Sequence, residues 1–401
     1  MVLKSEGKIL MFLQIMALST LYARELCLLY FSNSGFVSNL YYTFIIIVVV
    51  WLGVSVFLTK TKEERNHLLL VFLIEIALML YALFSSAQKR PVDANKMIGR
   101  IIALVLLHAI YRNNSRPSEG ILKYNTVLNI IYAWSLLLLY AMGRGYDASG
   151  NLSFSFGNPN STGLFVLLTI YSLIAGRACF IGLFSKLAID SSIIAASVIL
   201  YQSRSRSAML SLLMFFLLWL FKTRKQNEIW SFSSGILVGL QAFAIAYPSV
   251  WAAIYGLVSN KAITFLGKPL FSAREIIWGY MYTELLQNPF AIRLGESLVV
   301  ASGAHNAFLA VWWDCGFFAF FGFHIILFFF YQRLNKRCAS KFDVTIVALV
   351  LSLFVSMTFE VLMFSGGVNF MFRAYYLLFF LGLFNDEQKK RFRIKVCFGS
   401  K

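Results

Sequence analysis

The stretch Tyr201–Phe221, "YQSRSRSAMLSLLMFFLLWLF", decides how this chain is read. Most of it is apolar enough to cross a bilayer, yet Arg204 and Arg206 stand at its head. A charged side chain near bilayer depth is expensive and is usually kept for a task. The flanking lysines, Lys186 and Lys222, enclose 35 residues. Two full spans and a turn need about 43. Shared between two helices at ~1.5 Å per residue, the deficit sinks the turn "QSRSRS" ~6 Å below the outer hydrocarbon boundary. Non-helical backbone at that depth must face protein or a water-filled cavity. If the turn is extended, both arginines face one way. If it is helical, they point about 200° apart and only one faces a site. Ser205 or Ser207 is placed to cap the helix that follows. Guanidinium groups at a helix N-terminus suit phosphate oxygens. The plainer reading is a snorkelling pair that anchors a helix end at the interface.

The rest of the chain supports a membrane setting. Of its 401 residues 59% are apolar and only 13% charged, where a soluble protein carries about 25% charged residues. Apolar runs predict an all-α polytopic protein with twelve spans, near 9–31, 39–58, 67–86, 97–111, 123–142, 160–176, 186–203, 205–221, 229–250, 304–331, 343–363 and 369–385. The opening segment reads as an uncleaved first span, not a signal peptide. No soluble domain or internal repeat is evident, so residues 1–401 read as one integral membrane domain. Lys and Arg set its orientation. With both termini cytoplasmic, inner segments hold 23 of these residues and outer segments 10. The net charge of +18 is then a matter of topology, and nucleic acid is not needed to explain it. The five cysteines are scattered and form neither a metal motif nor a disulfide framework.

One outer connection, residues 251–303, is far longer than the others. It contains "SAREIIWGYMYTELLQNPF", where Ile276, Ile277, Tyr280, Met281 and Leu285 recur at helical spacing. This predicts a short amphipathic helix lying on the outer membrane face. Arg274 opens it, and Lys261, Lys268 and Arg293 are the loop's other cations. Beyond the loop, His305 opens the tenth span in "SGAHNAFLAVWWDCG", at the level of the arginines. Fixed positive charge nearby would keep its imidazole neutral and able to accept a proton. The alternative is a histidine that merely starts a helix at the interface. His67, His108 and His324 read as packing or interface residues. "FGNPNSTG" (Phe156–Gly163) reads as a helix entry capped by Asn160 or Ser161. Glu75, Glu360 and Arg373 fall within spans, the last two as a candidate structural pair. No paired-aspartate, HExxH or Gly-rich phosphate motif is present, so a phosphate-bearing substrate would have to be held by arginine.

In order, "GNPNSTG", "SRSAMLSLL", "SAREIIW…NPF" and "GAHNAFLAVWWDCGFFAFFGF" resemble the successive signatures of the O-antigen ligase and polymerase superfamily, which includes the Wzy-type polysaccharide polymerases and WaaL-type ligases. The resemblance covers about residues 150–335. It implies a metal-independent, cofactor-free glycosyltransferase of the bacterial cytoplasmic (inner) membrane, with its active site on the periplasmic or extracellular side. The implied donor is a glycan on undecaprenyl diphosphate. Arg206 matches the arginine of the Ser-Arg motif, Arg274 the arginine of the loop helix, and His305 the histidine of the His-Asn pair. Arg206 and Arg274 would hold the diphosphate, with Arg204 as an unaligned addition. His305 would be the base, and Asn306 and Asn160 are further candidates. A polymerase would pass the chain to another lipid-linked repeat unit. A ligase would pass it to lipid A core or another surface acceptor. The resemblance also implies a flippase and a chain-length regulator as partners, beside membrane lipid. A transporter or flippase of lipid-linked oligosaccharide is the reading from another class, and it should show internal repeats or broken spans near the midplane.

Overall fold

The protein is described by a computed structural model. It describes residues 2–31, 35–57, 119–147, 150–156, 158–222, 264–265, 268–269, 274–293, 305–336 and 341–359, with the isolated positions 66 and 73. These are overwhelmingly helical: α1 (Val2–Phe31), α2 (Gly35–Phe57), α3 (Glu119–Ala141), α4 (Pro159–Arg177), α5 (Leu183–Gln202), α6 (Arg206–Lys222), α7 (Arg274–Gln287), α8 (Ala307–Lys336) and α9 (Lys341–Phe359). Five helices among the described residues are long and apolar enough to cross a membrane, with residues Met11–Tyr30, Gly120–Ala141, Pro159–Arg177, Leu183–Gln202 and Ala307–Ile325. Apart from position 73, the expected spans 67–86, 97–111, 229–250 and 369–385 lie outside the described residues, as do His67, His108, Glu75, Glu360, Arg373 and Lys261.

The chain divides into two compact units. The first comprises Met1–Leu68, Leu104–Met209 and Phe372–Lys401, and the second Leu69–Ala103 and Leu210–Met371. In the first unit α1 and α2 form an antiparallel pair. Leu18, Leu21 and Tyr22 of α1 are buried, as are Val37, Phe44, Val48 and Trp51 of α2, a spacing close to that of coiled-coil seams. The outward faces are equally apolar: Phe12, Tyr42, Ile46 and Val49 are exposed. In water such faces would be a liability, but in lipid they are the natural surface. Helix α4 is buried at every position from Thr162 to Leu173, which makes it the central helix of its neighbourhood, against α3 and α5. Polar groups stitch the helices where hydrocarbon offers no water. Ser19 bonds Tyr124 at 2.7 Å, and Trp134 donates its indole N–H to Ser192 Oγ at 3.0 Å.

Helix direction alternates in this unit. At one end Lys123 lies 5.9 Å from the Phe180 ring, and Arg177 makes a two-pronged pair with Asp190 at 2.7 and 2.9 Å. At the other end, beyond the 23 residues of α3, are Arg144, Tyr146 and the Arg204 corner.

In the second unit the long connection contains a small antiparallel ribbon, β1 (Thr264–Phe265) with β2 (Lys268–Pro269), as well as α7. The stripe on α7 differs from the expectation. Ile277, Trp278, Met281 and Leu285 are buried in protein, while Tyr280, expected in the same stripe, is 36% exposed. The apolar face that was to lie on the membrane is thus the face that docks α7 into its own unit.

Helix α8 is broken at Gly316, whose φ of 77° and ψ of 174° belong to a region open only to glycine. The break frees the Phe317 N–H from its helical partner. That N–H donates instead to the Pro289 carbonyl at 2.9 Å, and the same oxygen accepts the Trp312 indole N–H at 3.0 Å. A Cβ on Gly316 would stand 2.9 Å from the Phe290 carbonyl oxygen. The "NPF" turn therefore plugs the kink, and Phe290 stacks on Phe318 at 5.0 Å between ring centroids.

Candidate functional site

The arginine corner lies between α5 and α6. Helix α5 stops at Gln202, and the Ser203 N–H still bonds back to Ile199 O at 2.9 Å. Arg204 then reverses the chain with a φ of 51°. Ser205 takes the position before α6, and its carbonyl accepts the Met209 N–H at 3.0 Å. The corner is therefore neither the extended turn nor the continuous helix envisaged from sequence. It is a helix stop, one left-handed residue and a helix start. A left-handed non-glycine residue costs about 1–2 kcal/mol, and this site usually takes glycine. Arg204 is exposed and Arg206, the first residue of α6, is half-buried.

Of the two expected caps, the Ser205 hydroxyl is buried without a hydrogen-bond partner, and Ser207 is already the second residue of the helix. Ser203 Oγ does the local work, donating to Leu200 O at 2.7 Å and accepting the Ser205 N–H at 3.4 Å. From Lys186 to Gln202, and again from Arg206 to Lys222, the helices run about 24 Å at ~1.5 Å per residue. That is shorter than the ~30 Å hydrocarbon core.

Gly163, the last residue of "GNPNSTG", packs directly on this corner. A Cβ on Gly163 would overlap Ser205 Cβ and Oγ and would lie 3.1 Å from Ser203 Oγ. Only glycine lets α4 come so close. The cap of α4 is Asn158, not Asn160 or Ser161: Asn158 Oδ1 accepts the Asn160 N–H at 2.8 Å. Pro159 supplies the first helical residue, where its missing N–H costs nothing, and so moves the cap ahead of the proline. Asn160 is half-buried in the first turn of α4. At the same end, the Tyr146 phenol is pushed above the ordinary tyrosine range, by desolvation first and by Tyr140 second, while the Arg204 charge pulls it down.

The second unit holds the other candidates. Arg274 is the first residue of α7 and is half-buried. His305 is half-buried with a φ of 46° and is followed by Asn306, the cap of α8. Asn306 Oδ1 accepts the Phe308 and Leu309 N–H groups, both at 3.0 Å. Its Nδ2 is buried with no partner. His324, by contrast, is a packing residue. It lies among Phe308, Phe320 and Phe323, and its Nδ1 bonds the Phe320 carbonyl at 2.8 Å. The first unit thus brings together Arg204, Arg206 and the entry to α4, and the second contains Arg274, His305 and Asn306.

Sequence reasoning missed Gly163, which reads there as the end of a capping motif; its Ser203 and Ser205 partners are forty residues away in sequence. It also passed over Arg293, which looks like any loop arginine. Among the described residues no group of three or more His, Cys, Asp or Glu side chains could hold a metal ion. Comparison of the chain with protein-family models, curated proteins and solved structures returns no match.

Proposed function

We propose that this membrane protein is a polysaccharide polymerase, moving a glycan from undecaprenyl diphosphate onto a sugar hydroxyl of another lipid-linked repeat unit. The observation that carries this reading is electrostatic. Arg206 and Arg274 each stand at the first residue of a helix, and His305 stands just ahead of the cap of a third. A helix N-terminus is already positive, so cations there work against stability. Their placement makes sense if an anion is to be bound. Arg204 and His305 also sit in left-handed backbone, and strain of that kind clusters at functional sites.

In this proposal Arg206 and Arg274 bind the diphosphate, with Arg204 as a more exposed third cation. His305 accepts the proton of the attacking hydroxyl as its oxygen bonds to the anomeric carbon. The bond from that carbon to the diphosphate breaks, and the arginines stabilise the departing charge. No metal or cofactor takes part. Asn306 holds the entry to α8 and with it the His305 backbone. Twelve spans with both termini cytoplasmic put the arginine corner at the outer face. The opposite placement of Lys123, Arg177 and Lys186 within the first unit favours this.

The test is reconstitution in liposomes with purified lipid-linked repeat units and EDTA. Glycan elongation is expected from the wild type, and none from folded Arg206→Ala or His305→Ala. Full activity in both variants would remove the site assignment. Transport of lipid-linked oligosaccharide without glycan transfer would remove the enzyme, and transfer only to a non-repeat acceptor would make it a ligase.

A further inference from the structure

Arg293 follows the "NPF" turn at the corner between α7 and α8 and is only 9% exposed. Nη2 donates to Glu284 O at 3.2 Å and reaches Asn288 O at 3.5 Å. The guanidinium carbon lies 4.8 Å from the centre of the Trp313 ring. Nη1 is buried and has no hydrogen-bond partner. The ion pairs among the described residues, Arg24 with Glu25 and Arg177 with Asp190, do not include it. The Trp313 indole N–H is likewise buried without a partner. Its neighbour Trp312 shows what a satisfied indole looks like here, donating to Pro289 O.

Carbonyls at the end of α7 and the face of Trp313 offset part of the arginine's charge. Neither is an anion, and a buried cation without one is strongly unfavourable. A structural clamp joining α7 to α8 accounts for Nη2 and for the ring contact. It leaves Nη1 and the Trp313 N–H unexplained. Both orphans are donors, and they belong to side chains in contact. A water molecule could accept from them but would not answer the charge. The missing group is an acceptor and an anion. Tyr280, with its ring centroid 6.3 Å from that of Trp313 and partly exposed, borders the corner.

We infer that Arg293 and Trp313 form an oxyanion subsite that takes a carboxylate or phosphate group. The oxyanion site stands on its own geometry; the choice of natural ligand rests on the polymerase reading. Under that reading the oxyanion is either the carboxylate of an acidic sugar in the repeat unit or the diphosphate of a lipid-linked unit. The Arg293 fork offers charge and one free edge, and the indole N–H supplies a second donor for the same group.

The full-length protein, purified in detergent, provides the test. Its thermal midpoint is measured against sodium pyrophosphate and sodium glucuronate, with sodium chloride at matched ionic strength. One of the two probes raises the midpoint beyond chloride, pyrophosphate if the ligand is the diphosphate and glucuronate if it is an acidic sugar. Arg293→Met keeps the stem and removes the charge, and it should need about ten- to hundredfold more probe, the usual worth of a charged hydrogen bond. Trp313→Phe keeps the ring and removes only the donor, and it should need severalfold more. Arg206→Ala removes a proposed diphosphate ligand, and so separates pyrophosphate bound there from a probe bound at Arg293. Failure of both probes to exceed chloride overturns the subsite. So does an unchanged response in Arg293→Met, or in Trp313→Phe if Arg293→Met does not fold. A response lost in Arg206→Ala but kept in Arg293→Met overturns it too, while leaving the diphosphate role of Arg206 standing.

Discussion

The Arg204–Arg206 corner and the Arg293 corner hold guanidinium groups in opposite ways. In the first, the strain is in the backbone: Arg204 is left-handed and its charge stays exposed. In the second, the cost is desolvation: Arg293 is buried, half-satisfied by carbonyls and pressed on Trp313. An exposed charge on a stiff corner is ready for a ligand but screened by solvent. A buried charge is weakly screened and more selective, since only a group that replaces its lost hydration can reach it.

The largest test of this contrast is in catalysis. Arg206→Ala should lower elongation by roughly 10²–10³-fold, the range for removing one group that stabilises leaving charge. Arg204→Ala should cost less than about tenfold, because its charge is exposed. Equal losses, measured in the same liposomes, would erase the distinction between the two arginines. Next in size is Gly316→Ala, which forces a side chain into glycine-only backbone against the Phe290 carbonyl. It should destabilise the protein by about 3 kcal/mol in denaturant titration. Gly163→Ala pushes on Ser205 instead and should cost about 2 kcal/mol. A neutral result there would mean that the corner gives way, and that the stiffness ascribed to it is wrong. The smallest effect has the opposite sign. Arg204→Gly relieves the left-handed residue and should stabilise the fold by about 1 kcal/mol.

What could be read in advance follows the range of the forces involved. The apolar runs near 123–142, 160–176 and 186–203 needed only composition, and α3, α4 and α5 match them within a few residues. The deficit of residues around the corner was visible because it is a count. The conformation of Arg204 was not, since nothing local announces a left-handed arginine. The α4 cap lies two or three residues ahead of the expected Asn160 or Ser161 because Pro159 takes the first helical position. The kink in α8 was hidden altogether. "WWDCGFFAFF" reads as one unbroken apolar helix, and it bends because a carbonyl from Pro289 arrives to take the freed N–H. The face of α7 was half legible: its spacing marked an apolar stripe, but spacing does not distinguish protein from lipid as the neighbour.

That Pro289 carbonyl also makes the bend depend on a distant turn, since it is the acceptor for the Phe317 N–H that Gly316 frees. A bilayer has no water to stand in for it. In the mature protein the Phe317 amide should then exchange with deuterium only as slowly as the turn undocks. A Phe317 amide that exchanges as fast as those of frayed helix ends would show that the turn is not what holds the bend closed.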